Sequence, residues 1–278
     1  MISESLAIGG RAITKWLRNP FAVIAALIQA TFWLVLFGNS FNPANAVSSS
    51  PLGGGSLGFF QQAFGGAANY ITFLTPGVIG IVSLTTMSFM GVDVVLDRMS
   101  GYLDMLSTCP IPRTSIYFGA MLQNVAKAMA TALVTFLLAF FVPNGLRLVQ
   151  GFNGLDLAGV LLTFALLSLV FSALFSGIAI SVKSTDSFFA LVNFLTFPIM
   201  FTSTALFPLG FFPSWMKPFA QANPVSLASE ATRLLIVKGS LSGAQVSSFA
   251  GDIIGLMVYG VLFGVLGILM AKNALRPR

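Results

Sequence analysis

The sequence contains no histidine and only one cysteine, Cys109. A single cysteine cannot form a disulfide within the chain, and zinc sites built from cysteine and histidine at their usual spacings are excluded. The lack of histidine also excludes the Ser-His-Asp and Cys-His arrangements that activate a nucleophile. We therefore expect no catalytic residue, no metal site and no cofactor bound by this chain.

Charged residues are scarce as well. They make up 8% of the 278 residues, whereas hydrophobic residues make up 56%, and no Asp, Glu, Lys or Arg lies between Arg18 and Asp93. A soluble domain has about a quarter of its residues charged, so this chain lacks the polar side chains that a water-facing surface needs. Lipid is the solvent that this composition predicts.

Apolar runs long enough to cross a bilayer recur along the chain. A helix needs about 20 such residues to cross about 30 Å of hydrocarbon, and lipid offers no hydrogen-bond partner to an open strand. The sequence thus predicts an all-α integral membrane protein with one transmembrane domain over residues 1–278. About six transmembrane helices are expected, at residues 20–38, 70–92, 115–142, 157–182, 188–207 and 249–271.

The net charge of +6 is distributed as a membrane protein requires. Basic residues stand at the ends of apolar runs, where they hold helices against an anionic lipid face, and the continuous basic patch that nucleic acid needs is missing. If the N-terminus is inside, the inner segments carry more Lys and Arg than the longer outer segments. This bias predicts a plasma-membrane protein with both termini in the cytoplasm, with lipid and not nucleic acid as a partner.

Two segments outside the spans are expected to form short helices. Residues 1–19 can form an amphipathic helix on the inner membrane surface, with Arg11, Lys15 and Arg18 on one side; the alternative is a basic flank that only sets the topology. Residues 208–248 are rich in proline and aromatic residues, which a solvated loop does not need. We expect re-entrant helices there, at the outer membrane face.

Three local patterns follow one another along the chain. Residues 70–77 read Tyr-Ile-Thr-Phe-Leu-Thr-Pro-Gly, at the start of the second span. Residues 97–113 hold a charge pair, a glycine, an acidic residue among leucines, and then proline and arginine. Residues 207–233 hold Phe-Pro, further prolines, a tryptophan, Asn-Pro and an arginine. Together these patterns resemble the membrane subunits of type-2 ABC exporters, which include daunorubicin-resistance-type drug exporters and bacterial polysaccharide or nodulation-factor exporters.

The resemblance implies a role for the second and third patterns. Residues 93–114 would form a cytoplasmic coupling helix that contacts the ATPase subunit through Asp97, Arg98, Gly101, Leu103, Asp104, Leu106, Pro110 and Arg113. The outer gate or re-entrant element would include Phe207, Pro208, Pro213, Trp215, Asn223, Pro224 and Arg233. Aspartate stands at positions 97 and 104 where the family commonly has glutamate. From the residues alone, the leucines of the inner segment indicate docking on a partner or, alternatively, packing on the membrane surface.

The resemblance also implies an assembly of two permease subunits with two ATPase subunits. The pattern G-x-x-x-x-G-K-[ST] is absent from this chain, so ATP and Mg would bind to a separate ABC ATP-binding subunit. The chain would form a homodimer or a heterodimer with a second permease and export an amphiphilic drug, lipid or glycan-type substrate. The alternative is an ion-coupled secondary transporter, with Lys127 as its candidate ionisable group inside a span.

Polar and small residues inside the spans have competing interpretations. Lys127 is expected to extend its ammonium to the inner membrane face. Asn193, Thr196 and Thr202 are candidates for a substrate path beside a kink at Pro198, although bonding to their own helix or to a neighbour is the simpler expectation. Close helix packing within the subunit is expected at Gly251, Gly255, Gly260 and Gly264.

Overall fold

The computed structural model describes Thr14 and residues 20–40, 64–101, 113–143, 145–149, 151–238 and 243–274. Every regular element in these ranges is helical. The α-helices are α1 Pro20–Ser40, α2 Tyr70–Met99, α3 Arg113–Phe141, α4 Gly154–Ser181, α5 Thr185–Phe201, α6 Lys217–Ala222, α7 Pro224–Lys238 and α8 Gly243–Ala274. A 3-10 turn at Leu209–Phe211 precedes α6. The predicted interfacial helix at 1–19 lies outside the described residues, except for Thr14.

Four helices in the described part of the chain are long and apolar enough to cross a membrane, namely α2, α3, α4 and α8. Two shorter apolar stretches, Ile28–Gly38 in α1 and Thr185–Phe201 in α5, accompany them. The predicted all-helical architecture is therefore confirmed over the described ranges. The arrangement of six spans stays a prediction.

Helix α2 lies at the centre of the bundle and α8 at its edge. Of an 18-residue apolar stretch in each helix, 76% is buried within the protein in α2 and 17% in α8. Helix α8 packs mainly along α4, and its other side exposes branched aliphatic residues such as Val258 and Val261. Such a one-sided apolar surface is suited to lipid, which supplies the apolar contacts that the chain itself does not.

The contact between α4 and α8 depends on two glycines that the sequence patterns did not single out. A Cβ atom added to Gly177 would lie 2.7 Å from the Cα atom of Gly267. A Cβ atom on Gly267 would in turn overlap the hydroxyl end of Tyr117 from α3. Three helices therefore meet at a point where only a hydrogen atom fits, which is the way small residues allow close approach in membrane helices.

The predicted packing glycines of α8 divide into two pairs. Added Cβ atoms at Gly255 and Gly260 would lie 2.8 and 3.1 Å from leucine side chains of α7 and α4, so these two positions do serve packing within the subunit. Gly251 and Gly264 have nothing within 4 Å of an added Cβ atom. The expectation of internal packing is thus confirmed for one pair and wrong for the other.

Helix α2 extends beyond its predicted end at residue 92 and continues to Met99. It ends where Gly101 adopts a φ of 74° and donates its amide to the Arg98 carbonyl at 3.0 Å. Glycine accepts this left-handed conformation without the steric cost that a side chain would add. Asp97 and Arg98 are therefore on the last turn of α2, and not on a separate helix as the boundary at 93 predicted.

Helix α5 ends at Phe201, before the predicted boundary at 207. The amide and hydroxyl of Thr202 both donate to the Pro198 carbonyl, at 2.9 and 2.7 Å. The Thr204 amide then donates to the Ser226 hydroxyl of α7 at 2.9 Å. A bond to α7 replaces the next helical bond, so the helix stops although the sequence stays apolar for several more residues. Helix α8 also differs from its prediction, because it begins at Gly243, before the predicted start of the span at 249.

Candidate functional site

The guanidinium of Arg233 joins three parts of the chain at one end of the bundle. From α7, its Nε donates to the Phe73 carbonyl of α2 at 2.9 Å, and its Nη2 donates to the carbonyls of Thr204 and Ala205 at 2.7 and 3.1 Å. Its Nη1 donates to Oε1 of Glu230 at 2.7 Å. We call these five residues the Arg233 cluster. It fixes α2, α7 and the turn after α5 relative to one another.

Arg233 is buried, with 6% of its surface exposed. Its guanidinium carbon lies 3.7 Å from the centroid of the Phe73 ring. Removing a charge from water is costly, and the Glu230 carboxylate, the three carbonyls and the aromatic face together offset that cost. Burial lowers the pKa of Arg233, and the neighbouring Glu230 carboxylate opposes this shift. A planar group with donors on three nitrogens is what this arrangement requires, and only arginine supplies it.

The first and third sequence patterns meet at the Arg233 cluster. The hydroxyl of Tyr70 donates to the Leu206 carbonyl at 2.9 Å. Gly77, the last residue of the first pattern, lies so close to Ala205 that an added Cβ atom would overlap the Ala205 carbonyl. No distance between these two patterns can be inferred from the sequence, and the structure shows that they pack against each other.

Asn223 joins the end of α5 to the start of α7. Its Nδ2 donates to the Ile199 carbonyl at 2.6 Å and to the Thr202 hydroxyl at 3.0 Å. Its Oδ1 accepts from the Val225 amide at 2.9 Å, directly after Pro224 begins the helix. An asparagine before a proline is well suited to this position, because its side chain satisfies a free amide and the proline has none to satisfy.

The remaining residues of the third pattern are more peripheral. Pro208 is buried beside the Arg233 cluster. Phe207 and Trp215 are 39% and 70% exposed, and Pro213 is exposed as well. The structure therefore joins Asn223, Pro224 and Arg233 in one packed unit and leaves the aromatic residues on the surface. A partly apolar surface of this kind is expected at a membrane interface.

At the opposite end of α2, the side chain of Arg98 contacts the end of α4. Its Nη1 donates to the Ile180 carbonyl and lies 3.5 Å from the Val182 carbonyl. The last carbonyls of a helix have no partner within the helix and carry a partial negative charge. Arg98 was predicted to contact an ATPase subunit, and in this structure it binds the turn between α4 and α5.

The other predicted coupling residues are described only in part. Asp97 is half-buried on α2, and Gly101 ends that helix. Arg113 begins α3, although the position of its side chain is outside the described part of the chain. Also outside the described residues are Leu103, Asp104, Leu106 and Pro110. Their contact with an ATPase subunit stays a prediction.

Lys127 does not extend to the membrane face as expected. Its Nζ lies 3.2 Å from Oδ2 of Asp93 on α2, and the lysine side chain is 1% exposed, compared with 42% for the aspartate. Because α2 continues past residue 92, Asp93 lies on this helix, half-buried and within reach of α3. A carboxylate stabilises a buried ammonium and hydrocarbon does not, so Lys127 points to Asp93.

The candidate path residues in and just after α5 differ in burial and in their hydrogen bonds. Asn193 is exposed, whereas Thr196 is buried and its hydroxyl lies 3.1 Å from that of Ser88 on α2. Thr202 lies past the end of α5 and bonds back to Pro198. The simpler expectation, bonding to the same helix or a neighbour, therefore describes Thr196 and Thr202. A substrate path along these residues stays a prediction.

The profile of the ABC-2 type transporter family matches residues 4–237 of this chain. The chain belongs to the ABC-2 type transporter family. A relative named as the transport permease ycf38 of Porphyra purpurea is 28% identical over 100% of this chain and 90% of its own length. A relative from Mycobacterium tuberculosis, named for doxorubicin resistance as the ABC transporter permease protein DrrC, is 26% identical over 93% of this chain and 83% of its own. The daunorubicin resistance permease protein DrrB1 of Streptomyces coeruleorubidus is 24% identical over 64% and 63%.

Membership of the ABC-2 family confirms the resemblance read from the three patterns and identifies the chain as a multi-pass membrane permease. Sequence reasoning missed two carboxylates that form ion pairs in the bundle. Glu230 binds Arg233 and the Thr204 hydroxyl, and Asp93 binds Lys127. Their charge could have indicated these two residues, because a carboxylate in or beside an apolar segment needs a partner. No spacing rule could have named that partner.

Proposed function

We propose that this chain is the membrane-spanning subunit of an ATP-driven ABC exporter that moves an amphiphilic drug, lipid or glycan-type substrate out of the cytoplasm. ATP and Mg bind to a separate ATP-binding subunit. A second permease subunit, identical or related, completes the membrane part. The assembly is in the plasma membrane with both termini in the cytoplasm. Family membership and the drug-resistance names of two relatives support this proposal.

The observation that carries the mechanism is the contact between Arg98 and the Ile180 carbonyl. Residues 102–112 connect α2 to α3, so a force on this segment acts on both helices directly. Through Arg98 the same force acts on the turn that joins α4 to α5. A motor subunit that docks on residues 102–112 can therefore move four helices through one short segment.

The opposite end of α2 is bound to the Arg233 cluster. A helix of 30 residues is about 45 Å long, so α2 runs from the coupling segment to Phe73 without interruption. Displacement of its coupling end shifts Phe73 relative to Arg233 and changes the outer end of the bundle. Nucleotide can drive this change only if it binds one conformation of the assembly better than the other, because equal affinities shift no population.

The first experiment asks whether an ATPase accompanies the chain. The protein is extracted in mild detergent with an affinity tag, and the co-purified proteins are analysed for a subunit with the phosphate-loop pattern. Recovery of such a subunit in a fixed ratio, together with ATP hydrolysis, is the expected result. Substrate movement driven by an ion gradient in the absence of that subunit would favour a secondary transporter and would contradict the proposal.

The second experiment tests coupling at Leu103. Leu103→Asp replaces an apolar side chain of the segment with a charge, and we expect ATP hydrolysis to continue while transport is lost. Leu103→Met keeps an apolar side chain of similar volume and is expected to transport normally. Transport per ATP hydrolysed in proteoliposomes is the measurement. Equal transport by both variants would show that the segment does not couple the two reactions.

A further inference from the structure

A cavity of about 550 Å³ lies beside the Arg233 cluster, between α7, α8 and the turn at 208–210. Its walls combine apolar residues, such as Phe64 and Leu234, with the charged residues Glu230, Lys238 and Asp252. Cavities of a few hundred Å³ with mostly apolar walls and a few convergent polar groups are typical binding sites for small molecules. The charge available to a ligand determines what this cavity can hold.

Arg233, the buried cation of the wall, is already bound within the protein. Four of its five N–H groups donate, to Phe73, to Glu230 and to the carbonyls of Thr204 and Ala205. The remaining N–H belongs to Nη1, which is bonded to the Glu230 carboxylate, and that carboxylate repels an entering anion. Lys238 is exposed at the last position of α7, where it can point into solvent. Among the described residues, the cavity therefore offers an anion no buried cation that lacks a counter-ion.

Acceptors, in contrast, are available. Oε1 of Glu230 accepts from Arg233 and Thr204, at 2.7 and 2.9 Å, and no described residue donates to its second oxygen. The Asp252 carboxylate, in the third turn of α8, forms no hydrogen bond or ion pair with the residues that the structure describes. An unpaired carboxylate on a helix that borders lipid is costly, and a cation in the cavity would remove that cost.

We propose that this cavity binds a monovalent organic cation with apolar substituents, whose charge lies between Asp252 and Glu230. Phe64 and Leu234 contact its apolar part, and the Arg233 cluster keeps Glu230 in place. The inference rests on the proposed function, because it names the class of cargo that the exporter holds near its predicted outer end. The ammonium of a lipid headgroup has the same chemistry as a free amphiphilic cation, so the experiment must separate these two sources.

The probes are tetraphenylphosphonium and tetraphenylborate, which share one shape and carry opposite charges. Equilibrium binding of each ion is measured on the purified protein in phosphatidylglycerol nanodiscs, with empty discs as background. We expect saturable binding of the cation alone. Asp252→Asn should weaken it about tenfold or more, because it removes one member of a charge pair. Asp252→Glu, which keeps the charge, should retain most of the affinity.

Asp186→Asn provides the matched control, since Asp186 is exposed in the first turn of α5 and does not line the cavity. Its affinity should equal that of the wild-type protein. Equal binding of the two probes, or unchanged cation binding by Asp252→Asn, would overturn the proposal. If added phosphatidylethanolamine competes with the cation, a lipid headgroup is the natural occupant. If it does not compete, the natural occupant is a free amphiphilic cation. Loss of ATPase co-purification alone would overturn the exporter function and not the cation site.

Discussion

Arg233 and Phe73 are 160 positions apart in the chain, and the arginine binds the phenylalanine twice. Its Nε donates to the Phe73 carbonyl at 2.9 Å, while its guanidinium carbon lies 3.7 Å above the Phe73 ring. Both contacts constrain the same guanidinium plane, so the start of α2 cannot rotate against α7 without losing one of them. The remaining nitrogens hold the turn after α5 to the same point.

The first prediction concerns the stability of this arrangement. Arg233→Met leaves the carbonyls of Phe73, Thr204 and Ala205 without this buried donor, and at about 1–3 kcal/mol for each acceptor the change should cost about 3–5 kcal/mol. Glu230 adds little to this cost, since it keeps its bond from Thr204 and its side chain is 47% exposed. Arg233→Lys keeps a charge but cannot reach all the acceptors, and it should cost about 1–3 kcal/mol. The thermal unfolding midpoint of the purified protein in detergent measures both effects. A midpoint for Arg233→Met equal to that of the wild-type protein would show that the cluster does not hold the fold together.

Arg147→Gln is the control for Arg233. Arg147 is an exposed arginine in the short connection before α4, and removal of its charge should change stability by less than about 0.5 kcal/mol. A large effect at Arg147 would mean that any loss of positive charge destabilises the protein. The effect at Arg233 could then not be assigned to its hydrogen bonds.

The second prediction concerns the close contact between Gly77 and the backbone of Ala205. An alanine at position 77 would place its Cβ atom on a carbonyl that is itself held by Arg233. The backbone must move, and we expect a loss of about 3 kcal/mol or more, at the upper end of overpacking effects. Gly264→Ala, on an open face of α8, should be neutral or more stable by up to about 1 kcal/mol. Equal yields of monodisperse protein from both variants would contradict the prediction.

The apolar runs predicted most of the helix positions because lipid requires a helix wherever about 20 apolar residues occur together. Helix ends were less predictable, since bonds to other parts of the chain set them. The apolar run of α5 continues past Phe201, but the Thr204 amide binds Ser226 instead of its own helix. Helix α2, in contrast, continues through charged residues until Gly101 ends it.

Some residues of the candidate site could be predicted from the sequence, but their hydrogen-bond partners could not. The third pattern named Arg233 and Asn223, and both do lie at junctions between helices. Their partners are mostly backbone carbonyls, which every residue has, so no residue type in the sequence could indicate them. The pairing of Lys127 with Asp93 was missed for a different reason. It joins two helices, and the apolar run that predicts the second span ends one residue before the aspartate.

The third prediction tests Arg98 as a positioning residue. Arg98→Gln removes the charge that binds the end of α4, and we expect transport per ATP hydrolysed to fall several-fold. Stability should fall by only about 1 kcal/mol, the usual value of a charge at a helix end. Arg98→Lys should restore part of the coupling. Lys183→Gln, at an exposed position beside the same turn, should couple normally. A purely structural role would lower expression and leave the transport ratio of the folded protein unchanged.

The fourth prediction uses the unequal burial of the Lys127–Asp93 pair, in which the lysine side chain is 1% exposed and the aspartate 42%. Asp93→Asn leaves a buried ammonium without its counter-ion, and it should cost about 3–5 kcal/mol. Lys127→Met leaves only a carboxylate that can still be hydrated, so its cost should be smaller. The double variant has no unpaired charge and should be more stable than Asp93→Asn alone, which makes the coupling energy favourable. Thermal unfolding of the four proteins measures this cycle. If Lys127→Met destabilised the protein more than Asp93→Asn, the prediction would be wrong. Lys127 would then have to make a stabilising contact other than its ion pair with Asp93.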